Sequence, residues 1–192
     1  MRRSTLVLLT SLLAVAGLAA CGDDYGDDDA EEARSTEETE AIAAELVLTS
    51  EAFADGEAIP VEFTCEGAGT SPPLAWSSVP DGTDSLLLVV DDPDAPGGSF
   101  IHWVVEGVDP SSGAIPAGEP PDGVIEGTNG AGATGWAPPC PPPGDGPHRY
   151  VFQLLALSAP LDAPDGADAE TALAAAEETT LATTTLTGTY ER

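Results

Sequence analysis

The sequence predicts a mainly β domain, a sandwich of antiparallel sheets with one short helix near the C-terminus. Apolar runs of strand length recur along the chain, and turn sequences such as Pro80-Asp81-Gly82 and Gly97-Gly98 separate them. Only one late stretch has the Ala- and Glu-rich composition of a helix. Several short strands at this spacing are typical of a β-sandwich.

In chain order, the predicted strands are Leu46–Leu48, Val61–Thr64, Leu74–Ser77, Leu86–Val90, Ile101–Val105, Tyr150–Leu157 and Thr183–Tyr190. The run Leu86–Val90 shows no polar alternation, which predicts a central strand covered on both faces. The helix is predicted over Ala169–Leu181. Residues 109–149 are dense in Gly and Pro and have almost no periodicity. A loop of that length in a compact domain favours a functional role.

The N-terminus has the pattern of an export signal. Arg2 and Arg3 form a basic start, and the apolar run Leu6–Leu18 is short for a membrane span. The run ends in Leu18-Ala19-Ala20-Cys21, which is typical of a bacterial lipoprotein signal. We therefore predict a signal peptide over residues 1–20 and lipidation of Cys21. An ordinary secretory peptide followed by a chance cysteine is the alternative.

Residues 21–45 differ in composition from the rest of the chain. Blocks of like charge, among them Asp27-Asp28-Asp29 and Glu31-Glu32, leave few apolar residues to bury. Such a segment cannot offset the entropy lost on ordering, so we predict an acidic, disordered tether behind the acylated Cys21. Residues 46–192 are then one domain of ordinary size.

The charge of the chain excludes one large class of partners. The formal net charge is −29, and the chain contains no lysine. Such a surface repels nucleic acid and anionic lipid headgroups, so we expect no nucleic-acid partner and membrane contact only through the lipid anchor. An anionic ligand must be held locally, by a pocket.

The predicted domain contains two cysteines, Cys65 and Cys140. Two such residues in an exported protein usually form a disulfide, and this one would tie the region before the first histidine to the middle of a Pro-rich loop. Two free thiols, or half of a metal site, are the alternatives. The chain has no Cys-x-x-Cys spacing.

Both histidines of the chain follow Pro/Gly-rich blocks, and each block adjoins an apolar strand. The first block, Asp91–Pro96, precedes His102, and the second, Pro139–Pro147, precedes His148. Rigid loops that leave a core strand can hold binding groups without disturbing the fold. We therefore predict that the two blocks form a site. A purely structural role for either histidine is the alternative.

Within these blocks, specific side chains suit an anion pocket. Asp92 and Asp94 can orient an imidazole, because a carboxylate that accepts an imidazole N–H fixes its tautomer. Tyr150 lies two residues after His148 and would share its strand face, whereas Arg149 points to the other face and is free to pair with a structural carboxylate.

Catalytic motifs are missing from the sequence. It has no Gly-x-Ser-x-Gly elbow, phosphate loop or dinucleotide fingerprint, and Ser99 near His102 is a weak signal for a nucleophile. The two histidines lack the compact spacing of metal ligands. We therefore predict a protein that is not an enzyme and needs neither cofactor nor metal.

At these residues the sequence resembles the phosphatidylethanolamine-binding protein family, in its bacterial Raf-kinase-inhibitor-like branch. The resemblance covers nearly the whole domain. It rests on Ser50–Phe53, Asp55-Gly56, Ile59-Pro60, Phe63–Gly67, Ser71–Leu74, Trp76, the Asp-Pro-Asp-Ala-Pro block at 92–96 and the later Pro-Pro-x-Gly…His-Arg-Tyr pattern.

The resemblance implies a Greek-key antiparallel β-sandwich with C-terminal helical decoration and a small anion pocket at one end. Matched residue by residue, the pocket would comprise Asp92, Asp94, Pro96, His102, Pro142, His148 and Tyr150. Cysteines at both positions resemble those of exported bacterial members, in agreement with a Cys65–Cys140 disulfide. Pro138 and Ala131 depart from the pattern of the family, where a glycine and an aromatic residue are usual, and put ligand specificity in question.

The leading functional hypothesis is a membrane-anchored module that binds a phosphate-like or phosphorylated small molecule and faces outside the cytoplasm. Family members are also known as inhibitors, so the alternative is a protein–protein inhibitor of a protease or a kinase that acts from the cell envelope. A hydrolase that uses the histidines is the third hypothesis.

Overall fold

The computed structural model describes residues 45–120 and 122–192; the predicted signal peptide, Cys21 and the tether up to residue 44 lie outside them. The strands in this part of the chain are β1 (Val47–Thr49), β2 (Leu74–Ser77), β3 (Ser85–Asp92), β4 (Phe100–Val108), β5 (Ala114–Ile115), β6 (Ile125–Glu126), β7 (His148–Leu157) and β8 (Thr180–Tyr190). One α-helix, α1, spans Ala169–Ala176.

The strands form two antiparallel sheets. One sheet has the order β6-β4-β3-β7-β8, and the other has the order β1-β2-β5. The predicted mainly β fold, with two antiparallel sheets and one short helix, is confirmed. Along residues 45–120 and 122–192, no helix is long and apolar enough to cross a membrane.

Strand β3 is covered on both faces, as its unbroken apolar run predicted. Leu86, Leu88 and Val90 pack in the larger core cluster, which includes residues of both sheets. Leu87 and Val89 point the other way, into a second cluster that contains three alanines of α1. Asp168 precedes the helix as its N-cap, and its carboxylate accepts a hydrogen bond from Thr171 N at 2.9 Å.

The prediction of a strand over Val61–Thr64 is wrong, because this segment forms a 3₁₀ turn over Val61–Phe63. Pro60 fixes the backbone angle at its start, and the Thr64 hydroxyl closes it by donating to Val61 O at 2.8 Å. Only Phe63 of the turn is buried in the core. The alternating apolar pattern therefore marked one anchoring side chain rather than a strand.

Two other boundaries differ from prediction. The helix ends at Ala176 rather than Leu181, since β8 begins at Thr180 and pairs there with the end of β7. The long loop over residues 109–149 contains β5 and β6, two strands of two residues each. Pairs that short leave no periodicity in a sequence.

Candidate ligand-binding site

The two Pro/Gly-rich blocks meet at one end of the five-stranded sheet. Strand β3 runs antiparallel to both β4 and β7, so its last residue, Asp92, lies beside the first residues of its two neighbours. His102 lies near the start of β4, and His148 is the first residue of β7. The topology therefore brings together histidines that are far apart in the sequence.

A β-bulge places His102. Val90 pairs with Trp103 and Asp91 pairs with Ile101, so His102 has no opposite residue on β3. A bulge changes the direction of a side chain relative to strict alternation. The His102 ring contacts the Tyr150 ring edge-on, with centroids 5.1 Å apart.

His148 forms a buried pair with Asp92. Its Nδ1 lies 2.7 Å from Asp92 Oδ2, while Asp92 Oδ1 accepts a hydrogen bond from Asp94 N at 2.8 Å. On the other side of the ring, Nε2 lies 3.5 Å from Asp145 Oδ2. Burial lowers the pKa of His148, but the hydrogen bonds and charges of Asp92 and Asp145 outweigh it, so the pKa is raised overall. His148 thus favours the imidazolium form.

His102 has the opposite character. Its Nδ1 donates to the Ala137 carbonyl at 2.6 Å, which leaves the lone pair of a neutral ring on Nε2. Burial lowers the pKa of His102, although the Ala137 carbonyl, Asp92 and Asp91 oppose that effect. The surroundings therefore favour a cationic ring at His148 and, at His102, a neutral ring that can accept a hydrogen bond at Nε2.

These side chains border a cavity of about 260 Å³. Five of the seven residues predicted for the pocket line it: Asp92, Pro96, His102, Pro142 and His148. The prediction missed the other lining residues, which are Ala95, Phe100, Ala137, Pro138, Cys140 and Pro141. Most of these are small or apolar wall residues whose type carries no functional signal.

Asp94 lies outside the cavity lining and is engaged by Arg149. The guanidinium Nε and Nη2 atoms donate to the two carboxylate oxygens, each at 2.8 Å, and Arg149 N donates at 3.0 Å. These hydrogen bonds lower the pKa of Asp94 to about 2. The pair ties the loop after β3 to the start of β7, on the face opposite His148.

Tyr150 also lies outside the lining, although it shares a strand face with His148. It is fully buried, and its hydroxyl has no hydrogen-bond partner among the described residues. Burial, followed by the charge of Asp92, raises its pKa. Tyr150 therefore supports the His102 ring from the core side.

The predicted Cys65–Cys140 disulfide is present in the structure. Cys140 lines the cavity, and Cys65 N donates to the Pro139 carbonyl at 3.0 Å. The rim over residues 138–143 is proline at every position except Cys140, so it has a single backbone N–H of its own. Contacts from elsewhere in the chain must hold this wall in place.

The structure gives no positive evidence of catalysis. Ser99 donates its hydroxyl to Asp91 Oδ2 at 3.2 Å and so forms no pair with a histidine. Within the described ranges, no group of three or more His, Cys, Asp or Glu side chains is arranged to hold a metal ion.

Comparisons with known proteins agree on one family. The sequence model described as "Phosphatidylethanolamine-binding protein" matches residues 49–191. A Mycobacterium tuberculosis protein named as lipoprotein LppC is 41% identical over 194 residues, which cover 97% of this chain and 96% of LppC. The crystal structure of the phosphatidylethanolamine-binding protein homologue CT736 from Chlamydia trachomatis is similar, with a TM-score of 0.73 and 40% identity over 77% of this chain and 98% of CT736. Escherichia coli YbcL, described as a member of the mammalian family, gives a TM-score of 0.72 and 33% identity over 78% of this chain and 99% of YbcL.

Proposed function

Because this chain belongs to the phosphatidylethanolamine-binding protein family, we propose that it is a membrane-anchored module whose cavity binds a phosphate-like or phosphorylated headgroup. The convergence of His102 and the His148–Asp92 pair on one small cavity carries this proposal. The site residues are Asp92, Pro96, His102, Pro142 and His148, with Asp94 and Tyr150 as supporting groups outside the lining.

The two histidines offer complementary hydrogen bonding. The His148 imidazolium donates from Nε2 to a phosphate oxygen in place of its 3.5 Å contact with Asp145, and the His102 ring in its neutral form accepts at Nε2 from a P–OH group. A ligand that carries both an anionic oxygen and an acidic hydroxyl satisfies both rings. The monoanion of a phosphate monoester, which is populated below its second pKa of about 6, has this character.

The size of the cavity supports a headgroup rather than a whole lipid. Its volume of about 260 Å³ lies below the usual range for sites that enclose drug-sized ligands. The net charge of −29 also opposes docking of the domain on an anionic bilayer. We therefore assign the cavity to a small phosphorylated group, free or at the end of a larger molecule.

The proposed anchor is Cys21, which follows a lipoprotein-type signal in the sequence. The similar M. tuberculosis protein LppC is itself named a lipoprotein, and the similarity extends over 97% of this chain. We propose that the acidic segment after Cys21 tethers the domain to the cell envelope, on the side away from the cytoplasm.

Calorimetric titration with inorganic phosphate and with phosphoethanolamine tests the binding function. We expect saturable binding to the protein and its loss in His148→Ala, because this change removes the cavity-lining ring that is paired with Asp92 and would donate to the anion. Ser99→Ala is the control, since its hydroxyl donates to Asp91 of β3, which does not line the cavity. Vesicles that contain phosphatidylethanolamine distinguish a lipid headgroup from a free metabolite.

Absence of binding in the unmodified protein would refute the anion-pocket proposal. The inhibitor hypothesis would then gain weight, and it predicts a different pattern: inhibition of a protease or kinase that persists in His148→Ala. Turnover of a phosphate ester that His148→Ala abolishes would instead favour the hydrolase.

A further inference from the structure

Basic side chains are concentrated at the cavity end of the molecule. The chain has no lysine, and residues 45–120 and 122–192 contain four basic side chains: His102, His148, Arg149 and Arg192. Both histidines line the cavity, Arg149 pairs with Asp94 beside it, and Arg192 contacts the rim residue Pro141. In a chain of net charge −29, this placement marks where an anion can be tolerated.

The cavity itself has no surplus positive charge. The His148 ring lies between two carboxylates, those of Asp92 at 2.7 Å and Asp145 at 3.5 Å, and the buried His102 ring donates to the Ala137 carbonyl. An anionic group bound there would keep its full charge uncompensated, in a partly desolvated position. Such a group requires a further cation nearby.

Of the two arginines in this region, Arg149 already forms an ion pair. Its guanidinium and backbone N–H are all directed at Asp94. Arg192 is exposed, and within the described part of the chain no carboxylate forms an ion pair with it. Its Nε donates to the carbonyl of Pro141, which lines the cavity, and its own carbonyl accepts from Gly144 N at 2.8 Å. Arg192 is therefore fixed at the rim with its terminal N–H groups available.

We propose that Arg192 supplies the counter-charge of the site, with its terminal N–H groups donating to oxygens of the phosphate bound in the cavity. The planar guanidinium fork matches phosphate oxygens in pairs, and the bond from Nε to Pro141 orients that fork in advance. This inference rests on the proposed anion-binding function. It makes Arg192 a ligand-contacting residue.

Three variants test this assignment by titration with inorganic phosphate and phosphoethanolamine. We expect Arg192→Gln to weaken binding about tenfold, which is the usual effect of one charge-assisted hydrogen bond, and Arg192→Lys to recover part of the loss. Glu191→Gln is the control, because it changes the charge by one unit at the exposed residue next to Arg192 without removing a guanidinium. Both side chains are exposed, so the variants should fold, which circular dichroism checks.

The salt dependence of binding separates a contact role from a structural one. If Arg192 touches the anion, affinity should fall less steeply with added salt in Arg192→Gln than in the unmodified protein. Loss of affinity with an unchanged slope would mean that Arg192 only positions Pro141, and would overturn the proposal. A gain of affinity in Glu191→Gln as large as the loss in Arg192→Gln would also overturn it, because the two changes would then act only through the general electrostatic field. If the unmodified protein does not bind phosphate, the proposed binding function is refuted, and the proposed contact of Arg192 is refuted together with it.

Discussion

Removal of the Cys65–Cys140 disulfide should cost much of the stability of the domain. The bridge joins residues 75 positions apart. In the chain-entropy account, closing a loop of that length in the unfolded state contributes about 4.5 kcal/mol to the free energy of unfolding. Domains of this size are commonly stable by only about 5–15 kcal/mol. We therefore expect the variant Cys65→Ala/Cys140→Ala to be folded but marginal.

Urea unfolding followed by circular dichroism measures this effect. With a typical slope of about 2 kcal/mol per molar urea, the midpoint should fall by about 2 M. Addition of a thiol reductant to the unmodified protein should give the same midpoint, since both cysteines are exposed to solvent. A midpoint within about 0.5 M of the oxidised protein would contradict the entropic reasoning and indicate a compact denatured state.

Removal of the disulfide should also lower the affinity of the cavity for phosphate, because Cys140 is part of the cavity wall. The rim over residues 138–143 has one backbone N–H of its own and depends on the disulfide, on Cys65 N and on Arg192 for its position. Titration of the folded variant with inorganic phosphate should therefore give a lower affinity. Unchanged affinity would show that the hydrogen bonds from Cys65 N and Arg192 Nε hold the wall without the disulfide.

Two further outcomes follow from local contacts. The free energy of unfolding should be highest near pH 6.5. Folding lowers the pKa of His102, so protonation of this ring destabilises the folded state as pH falls below that value. Folding raises the pKa of His148, so the stability that its imidazolium provides is lost as pH rises above that value. Urea titrations from pH 5 to 8 check this, and Asp92→Asn should flatten the decline above the maximum; a steady rise to pH 8 would contradict it. Gly188→Ala should destabilise the domain by about 1–3 kcal/mol, because its Cβ would lie 2.5 Å from Ile59 Cγ1. Thermal unfolding measures that change, and an unaltered melting temperature would show that Ile59 moves aside freely.

Most of the fold could be predicted because its strong signals are local. The uninterrupted run Leu86–Val90 indicated a strand buried on both faces, and β3 is packed against the second sheet on one side and α1 on the other. Val61–Thr64 misled the prediction because one buried phenylalanine in a short apolar segment resembles a strand. Whether such a segment forms a strand or a turn depends on strand register and turn geometry, which are set by partners distant in sequence.

The site could be predicted only in part, for a related reason. Pro-rich blocks ending in histidines indicated the location, and the antiparallel topology brings both blocks to one sheet end. The contact that fixes the tautomer of His102 is the backbone carbonyl of Ala137, a group present at every residue. The bulge at His102 likewise depends on strand register. Neither feature has a signature in residue types.

The distribution of charge links the surface of this protein to its cavity. Acidic residues outnumber basic ones by 34 to 5, so an anion approaching most of the surface is repelled. Arg149 neutralises Asp94 beside the cavity, and His148 neutralises Asp92 within it. These two pairs leave Arg192 as the nearest cation to the rim that is not already ion-paired among the described residues. On the proposed function, the acidic surface therefore restricts anion binding to this end of the domain, where the acidic groups are locally balanced.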